Sequence, residues 1–164
     1  MPVISSERDT ESLTFTFVAE FDAKPDRVWQ VWQDPRQLER WWGPPGWPAT
    51  FDRHEFEVGG AVRYHMTGPD GEKAPGWWTI TAIDPPHRLE FDDGFAGDDG
   101  EPLDVKDSTH AVVTLKEIDS GTRMTLVSTF TSVEQLENMA AMGMEEGLRQ
   151  AINQLDALFA DSTS

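Results

Sequence analysis

The stretch SVEQLENMAAMGMEEGLRQAINQLDALF, residues 132–159, decides the fold. Leu136, Met139, Ala140, Gly143, Gly147, Leu148, Ala151, Leu155 and Leu158 recur at three- and four-residue spacing, the period of one helix face. Ser132 precedes the run and Gln135 follows three residues later, a capping-box pattern for a helix start. A helix from Val133 to Phe159 would span roughly 40 Å at about 1.5 Å per residue, enough to cross a whole small sheet. Its apolar stripe has to be buried, so the segments before it determine what it covers.

Those segments read mostly as strands. Residues 12–21 alternate, with Leu13, Phe15 and Phe17 on one face of a half-buried strand. Pro25 then suits the first turn of a short helix carrying Val28, Val31 and Trp32 on one side. Pro35 opens a second short turn with Leu38, Trp41 and Trp42, and Gly43 to Pro48 breaks into a loop. From Thr50 to Thr131 the pattern is strand and turn. Phe51, Phe56 and Val58 form one strand ending at Gly59-Gly60, and Val62, Tyr64 and Met66 alternate with Arg63, His65 and Thr67 in the next. The run Gly68-Pro-Asp-Gly71 makes a hairpin turn. Trp77 to Ile83 returns, Arg88 to Asp92 follows with Leu89 and Phe91 on one face, and residues 92–107 read as an exposed loop holding seven acids and one Lys. His110 to Lys116 and Thr122 to Phe130 close a last hairpin. Strands in hairpin succession followed by one long helix give an α+β helix-grip architecture. A curved antiparallel sheet of six or seven strands wraps the C-terminal helix, with two short helices after strand 1. We expect a flexible tail over 1–11, one domain over 12–160 and a short tail over 161–164.

Composition narrows the function classes. Thirteen basic against thirty acidic residues give a net charge of −17, which disfavours nucleic acid and anionic lipid as partners. Four of the bases are Lys and nine are Arg, a bias consistent with a GC-rich genome or a salt-loving host. No apolar run approaches the length of about eighteen residues that a spanning helix needs, so no membrane insertion is expected. The polar start carries no secretion pattern and there is no cysteine, so the expected compartment is the cytoplasm.

The element order, together with particular residues, resembles the family of activator-of-heat-shock-chaperone-ATPase homologues within the birch-pollen-allergen-like, START-related superfamily. The matching pieces are Ala23-Lys-Pro-Asp-Arg-Val-Trp29, Leu38-Glu-Arg-Trp41-Trp-Gly-Pro44, Val58-Gly-Gly60, Arg63-Tyr-His-Met66 with Gly68-Pro-Asp-Gly71, Ile83-Asp-Pro-Pro86 with Arg88-Leu89, Gly121-Thr-Arg-Met-Thr-Leu126, and Gly143-Met-Glu-Glu-Gly-Leu148 with Leu155. The resemblance covers roughly residues 12–160 and implies the helix-grip fold with a cavity between sheet and helix. Relatives in the superfamily bind lipids, sterols or polyketides, or act as cyclases and dehydratases. This chain departs from the family pattern at Met144, usually Trp, and at Trp78, where Gly is common.

No catalytic constellation stands out. His54 and Glu57 lie three apart in a strand and so face opposite ways, His65 is expected toward solvent and His87 sits in a turn, so neither metal nor cofactor is expected. The acidic run after Asp92 lacks the alternating ligands of a calcium loop. Seven tryptophans are more than a core of this size needs. Trp29 and Trp32 suit packing, while Trp41, Trp42 and Trp47 flank the Gly/Pro loop, where large aromatics line a pocket mouth or a partner surface. Glu146, beside Gly143 and Gly147, is either a rim charge or an inward carboxylate with a raised pKa, the rim charge being the simpler reading. The leading expectation is a small hydrophobic or aromatic ligand lined by Trp41, Trp42, Phe56, Tyr64, Met66, Trp77, Leu89, Phe91, Val113, Leu126, Met139, Gly143 and Glu146. The alternatives are a protein-interaction module of the chaperone-cofactor kind and a cavity enzyme of the cyclase or hydrolase type; under each reading the chain is expected as monomer or homodimer.

Overall fold

The computed structural model describes residues 3–43, 46–97, 108–119, 121–141 and 143–161. The elements run β1 (Val3–Asp9), β2 (Thr14–Phe21), α1 (Pro25–Gln33), α2 (Pro35–Trp41), β3 (Ala49–His54), β4 (Ala61–Thr67), β5 (Lys73–Asp84), β6 (Arg88–Phe95), β7 (Thr109–Ile118), β8 (Gly121–Thr129), α3 (Val133–Ala141), α4 (Met144–Asn153) and α5 (Leu155–Asp161). All eight strands form one curved antiparallel sheet in the order β1-β2-β8-β7-β6-β5-β4-β3. From β3 to β8 each strand pairs with the next in sequence, and only the α1–α2 passage lets β2 cross over to lie beside β8.

The short helices start where the sequence dictates. Pro25 occupies the first turn of α1, where its missing N–H costs nothing. The Asp34 carboxylate accepts the Arg36 amide at 2.9 Å and caps α2. Strand alternation then sets the inner face: Phe15, Phe17, Ala19 and Phe21 on β2, Met124 and Leu126 on β8, and Val113 and Leu115 on β7 are all buried. At the centre Trp32 meets Trp41 edge-on with centroids 4.8 Å apart, and Trp78 stacks on Phe91 at 4.1 Å.

Four features differ from the sequence expectation. The sheet has eight strands because Val3–Asp9, expected within a flexible tail, pairs along β2. That segment is polar and lacks alternation, so only its partners reveal it. Ser6 Oγ donates to Glu145 at 2.6 Å and accepts from Arg149 at 2.7 Å, which ties this edge to α4. The C-terminal helix is not continuous: Gly143 takes φ +86°, a left-handed conformation that cannot propagate a helix, and a second break falls at Gln154. The Ser132 cap does form, its Oγ accepting the Gln135 amide at 3.0 Å while Gln135 accepts the Thr131 amide at 2.7 Å. Strand β3 stops at His54, because the Glu55 carboxylate accepts the Ala61 amide at 3.0 Å and turns the chain. Finally, the strand expected over Arg88 to Asp92 runs on through Asp93 to Phe95, residues expected in the acidic loop, while residues 98–107 of that loop lie outside the described residues.

The core is unevenly filled. Leu155, Leu158 and Phe159 of α5 and Ala151 and Ile152 of α4 are buried, and Phe159 meets Phe21 at 5.3 Å. By contrast, Leu136 is the one buried residue of α3. The sheet beneath α3 is therefore where unfilled space remains.

Candidate functional site

A cavity of about 1040 Å³ lies between the inner sheet face and the α3–α4 pair. Four strands supply its floor through residues two apart: Tyr64 and Met66 from β4, Phe91 and Asp93 from β6, Thr109 and Ala111 from β7, Leu126 and Ser128 from β8. Trp42 and Trp47, flanking the Gly/Pro loop, close one side. Gln135, Asn138 and Met139 of α3 with Gly147 and Leu148 of α4 form the roof, and Gly143 lies at the joint between the two helices. Phe95, 51 % exposed, stands at the mouth.

Tyr64 is held by a close approach. It pairs across the ladder with Gly76, and a Cβ at that glycine would lie 2.5 Å from the phenol ring. The ring also stacks on Phe51 at 5.0 Å and meets Trp42 edge-on at 6.2 Å. Burial, reinforced by the neighbouring Asp93 charge, pushes the phenol pKa up, so Tyr64 stays neutral. The Nε1–H groups of Trp42 and Trp78 lie toward its oxygen, yet neither closes a hydrogen bond of normal geometry.

Asp93 is the chemically distinctive wall residue. It follows Leu89 and Phe91 at period two, so it points inward like them. The cavity leaves part of its surface accessible, but protein encloses it closely, and that burial raises its carboxyl to about 6 from the ordinary 3.8. Thr109 donates its hydroxyl to the carboxylate and opposes the rise, as does the charge of His110, while Asp92 adds to it. On the opposite sheet face His110 sits between Asp92 at 2.7 Å and Glu90 at 3.0 Å. Partial burial pulls its pKa down, but the hydrogen bonds and charges of those carboxylates outweigh burial and hold it above the usual histidine range.

The expected site residues divide into two groups. Trp42, Tyr64, Met66, Phe91, Leu126, Met139 and Gly143 come together on the cavity wall. The remaining six sit elsewhere, each for a physical reason. Trp41 is fully buried in the aromatic core, its indole N–H donating to the Val31 carbonyl at 3.0 Å. Phe56 falls beyond the end of β3 and packs on Trp29 at 5.7 Å and His54 at 5.2 Å. Trp77 alternates to the sheet face opposite Trp78 and lies over Gly94. Leu89 and Val113 face inward but in the filled half of the core. Glu146 is exposed and accepts from Gln150 at 3.2 Å, which places it as a rim charge. Sequence reasoning missed Asp93, Thr109 and Ser128, though extending the Leu89–Phe91 alternation by one step would have found the first. Among the described residues no group of three or more histidine or carboxylate side chains is arranged to hold a metal ion, and no helix is long and apolar enough to cross a membrane.

The comparisons identify the fold and the family. A family model described as Activator of Hsp90 ATPase homolog 1-like protein matches residues 22–160. The solution structure of a protein from Arthrobacter aurescens is 58% identical with a TM-score of 0.92, covering 99% of this chain and 94% of that one. A crystal structure from Mycobacterium smegmatis is 48% identical with a TM-score of 0.90, covering 98% and 99%. A protein from Rhodobacter sphaeroides, 24% identical with a TM-score of 0.83 over 96% and 98% of the two chains, shares the fold. No match is found among curated proteins. The eight-stranded grip and a family match spanning nearly its whole length lead to one conclusion: the chain belongs to the family of Activator of Hsp90 ATPase homolog 1-like proteins.

Proposed function

We propose that the protein binds a small apolar or aromatic molecule in the cavity between the sheet and the α3–α4 pair. The observation that carries this reading is the cavity itself: about 1040 Å³, walled by Trp42, Tyr64, Met66, Phe91, Leu126 and Met139 and predominantly apolar, with polar side chains such as Asp93, Thr109, Gln135 and Asn138 placed among them. Volumes of this order, apolar walls and a small number of placed polar atoms are what ligand sites have in common. Met66 and Met139 give the wall side chains that adapt to varied shapes. With no cysteine in the chain, we place this activity in the cytoplasm.

Two competing readings fit less well. An interaction module predicts an exposed apolar patch on the convex sheet face or around Trp41, Trp42 and Trp47, but Trp41 and Trp42 are buried, as is Trp77 on the outer face. The most exposed large apolar residues described are Val58 in the β3–β4 connection, Phe95 on β6 and Val133 on α3, single positions and not a run. A cavity enzyme needs an inward titratable group with an activated partner. Asp93 supplies such a group, but the partner described for it is the Thr109 hydroxyl, and no described histidine lines the cavity.

Gly147 offers a direct test, because a Cβ there meets nothing within 4 Å and the residue lines the roof. Gly147→Trp is expected to leave stability within about 1 kcal/mol, since tryptophan favours a helix more than glycine does. Its indole fills ligand space, so calorimetric affinity for phenylbutanol is expected to fall about tenfold or more, equivalent to about 1.4 kcal/mol. Native mass spectrometry of wild type purified from its own cells is expected to show a co-purifying small molecule that the variant lacks. Unchanged affinity together with no bound species in either protein would overturn the reading.

A further inference from the structure

The charges on the cavity wall select among apolar ligands. The wall carries Asp93 inside and Glu134 at the α3 edge, and no described Lys, Arg or His reaches it. A carboxylate or phosphate head group placed there would be buried beside Asp93 with no described side chain to neutralise it, which is costly in an apolar site. The usual anionic amphiphiles, fatty acids included, are therefore poor occupants. A neutral head group meets no such penalty, but it leaves the Asp93 charge uncompensated.

Asp93 is set up to accept. Among the described residues it has no cationic partner on the cavity side, and a carboxylate has about four lone-pair positions, of which the Thr109 hydroxyl takes part. The nearest positive group, His110, faces the other side of the sheet and is held by Asp92 and Glu90. Close to Asp93 the wall is aromatic. Tyr64 lies within reach of its charge, Trp42 meets Tyr64 edge-on at 6.2 Å, and Phe91 precedes Asp93 on the same face of β6. An aromatic wall around a carboxylate suits an amphiphilic cation, whose charge meets the carboxylate while its apolar body packs against the rings. The net charge of −17 further raises the local concentration of cations over anions.

Taking the cavity as the ligand site proposed above, we infer that its ligand is an amphiphilic amine. An apolar or aromatic body would fill the cavity while one protonated nitrogen donates to the Asp93 carboxylate beside Trp42 and Tyr64.

Three probes sharing one skeleton and differing only in the polar end test this: phenylbutylamine, phenylbutanol and phenylbutyrate, titrated calorimetrically into the full chain at about neutral pH. The amine is expected to bind about tenfold tighter than the alcohol, and the carboxylate weakest of the three. Asp93→Asn is expected to bring the amine to within about threefold of the alcohol. Thr109→Val, which removes the donor that supports the charged form, is expected to weaken the amine several-fold, by more than it changes the alcohol. Glu134→Gln at the rim is expected to change amine affinity by less than about twofold. The preference is expected to persist in about 0.5 M NaCl, because a buried pair is screened little. Equal affinities for amine and alcohol, a preference that survives Asp93→Asn or vanishes in salt, or tighter binding of the carboxylate would overturn the inference while leaving the cavity as a ligand site. Failure of all three probes to bind would overturn the ligand-binding reading itself, and the inference with it.

Discussion

Asp93→Asn is expected to stabilise the ligand-free protein by about 2–3 kcal/mol at pH about 8, because it removes a carboxylate that burial penalises. The groups facing Asp93 are Thr109 from β7, Tyr64 from β4 and its ladder partner Trp78 from β5, with Asp92 and His110 acting from the other side of the sheet. Its carboxyl is raised to about 6 in the folded state from an ordinary 3.8. The folded protein therefore holds this proton over a pH range in which the unfolded chain has released it. By linkage, the Asp93 contribution to stability falls as pH rises through that window and levels off above it. Asparagine keeps the shape and can accept from Thr109, but it does not titrate. The difference between variant and wild type in urea denaturation should thus be small near pH 4, grow between about pH 4 and 6, and then stay constant, worth roughly 5–10 °C in melting temperature. A difference independent of pH would show that Asp93 does not titrate as a buried acid. A side chain that costs stability in the empty protein is what a site arranged for a charged partner displays.

Trp32→Ala is expected to cost about 3–5 kcal/mol, at the top of the range for truncating a buried side chain. Trp32 is fully buried and its ring lies 4.8 Å from Trp41, 5.8 Å from Trp42, 6.1 Å from Trp78 and 6.2 Å from Phe91. Removing it opens a void in the packed half of the molecule, where α1, α2 and the sheet meet and little can relax into the gap. Met66→Ala makes the contrast. Met66 already borders empty space, so its truncation enlarges an existing cavity and should cost about 1 kcal/mol. Chemical denaturation of both variants checks the pair. Equal losses would mean that the two halves are packed alike and that the cavity is occupied by protein.

What the sequence disclosed and what it concealed follow from the range of the interactions involved. Alternation along β2, β4 and β8 and the turn and cap signals at Pro25, Pro35 and Ser132 are local, and they placed the grip and the inward Tyr64, Met66 and Leu126. The edge strand Val3–Asp9 carries no such signal, because its order comes from pairing with β2 and from Ser6 meeting Glu145 and Arg149. Phe56 and Trp77 were misplaced by register: the turn at Glu55 ends β3 before Phe56, and one step along β5 separates the faces of Trp77 and Trp78. Leu89 and Val113 were given the correct face, but no sequence pattern tells which end of that face stays unfilled. Asp93 was hidden by composition, since an Asp-Asp-Gly run opposes strand formation until its neighbours impose it. Gly143 sits within an unbroken helical periodicity, so the kink that shapes the cavity roof is visible only in its φ of +86°.

The central claim is that the space beneath α3 and α4 is where this protein meets its ligand, and the indole N–H resonances test it most directly. Of the seven tryptophans, Trp42 and Trp47 line the cavity, whereas Trp29 packs on Phe56 and Trp77 lies on the opposite sheet face. In proton–nitrogen correlation spectra titrated with phenylbutylamine, the Trp42 and Trp47 indole signals should move together along one saturating curve while those of Trp29 and Trp77 stay in place. No saturable movement at Trp42 and Trp47, or equal movement at Trp29 and Trp77, would contradict the cavity as the working site.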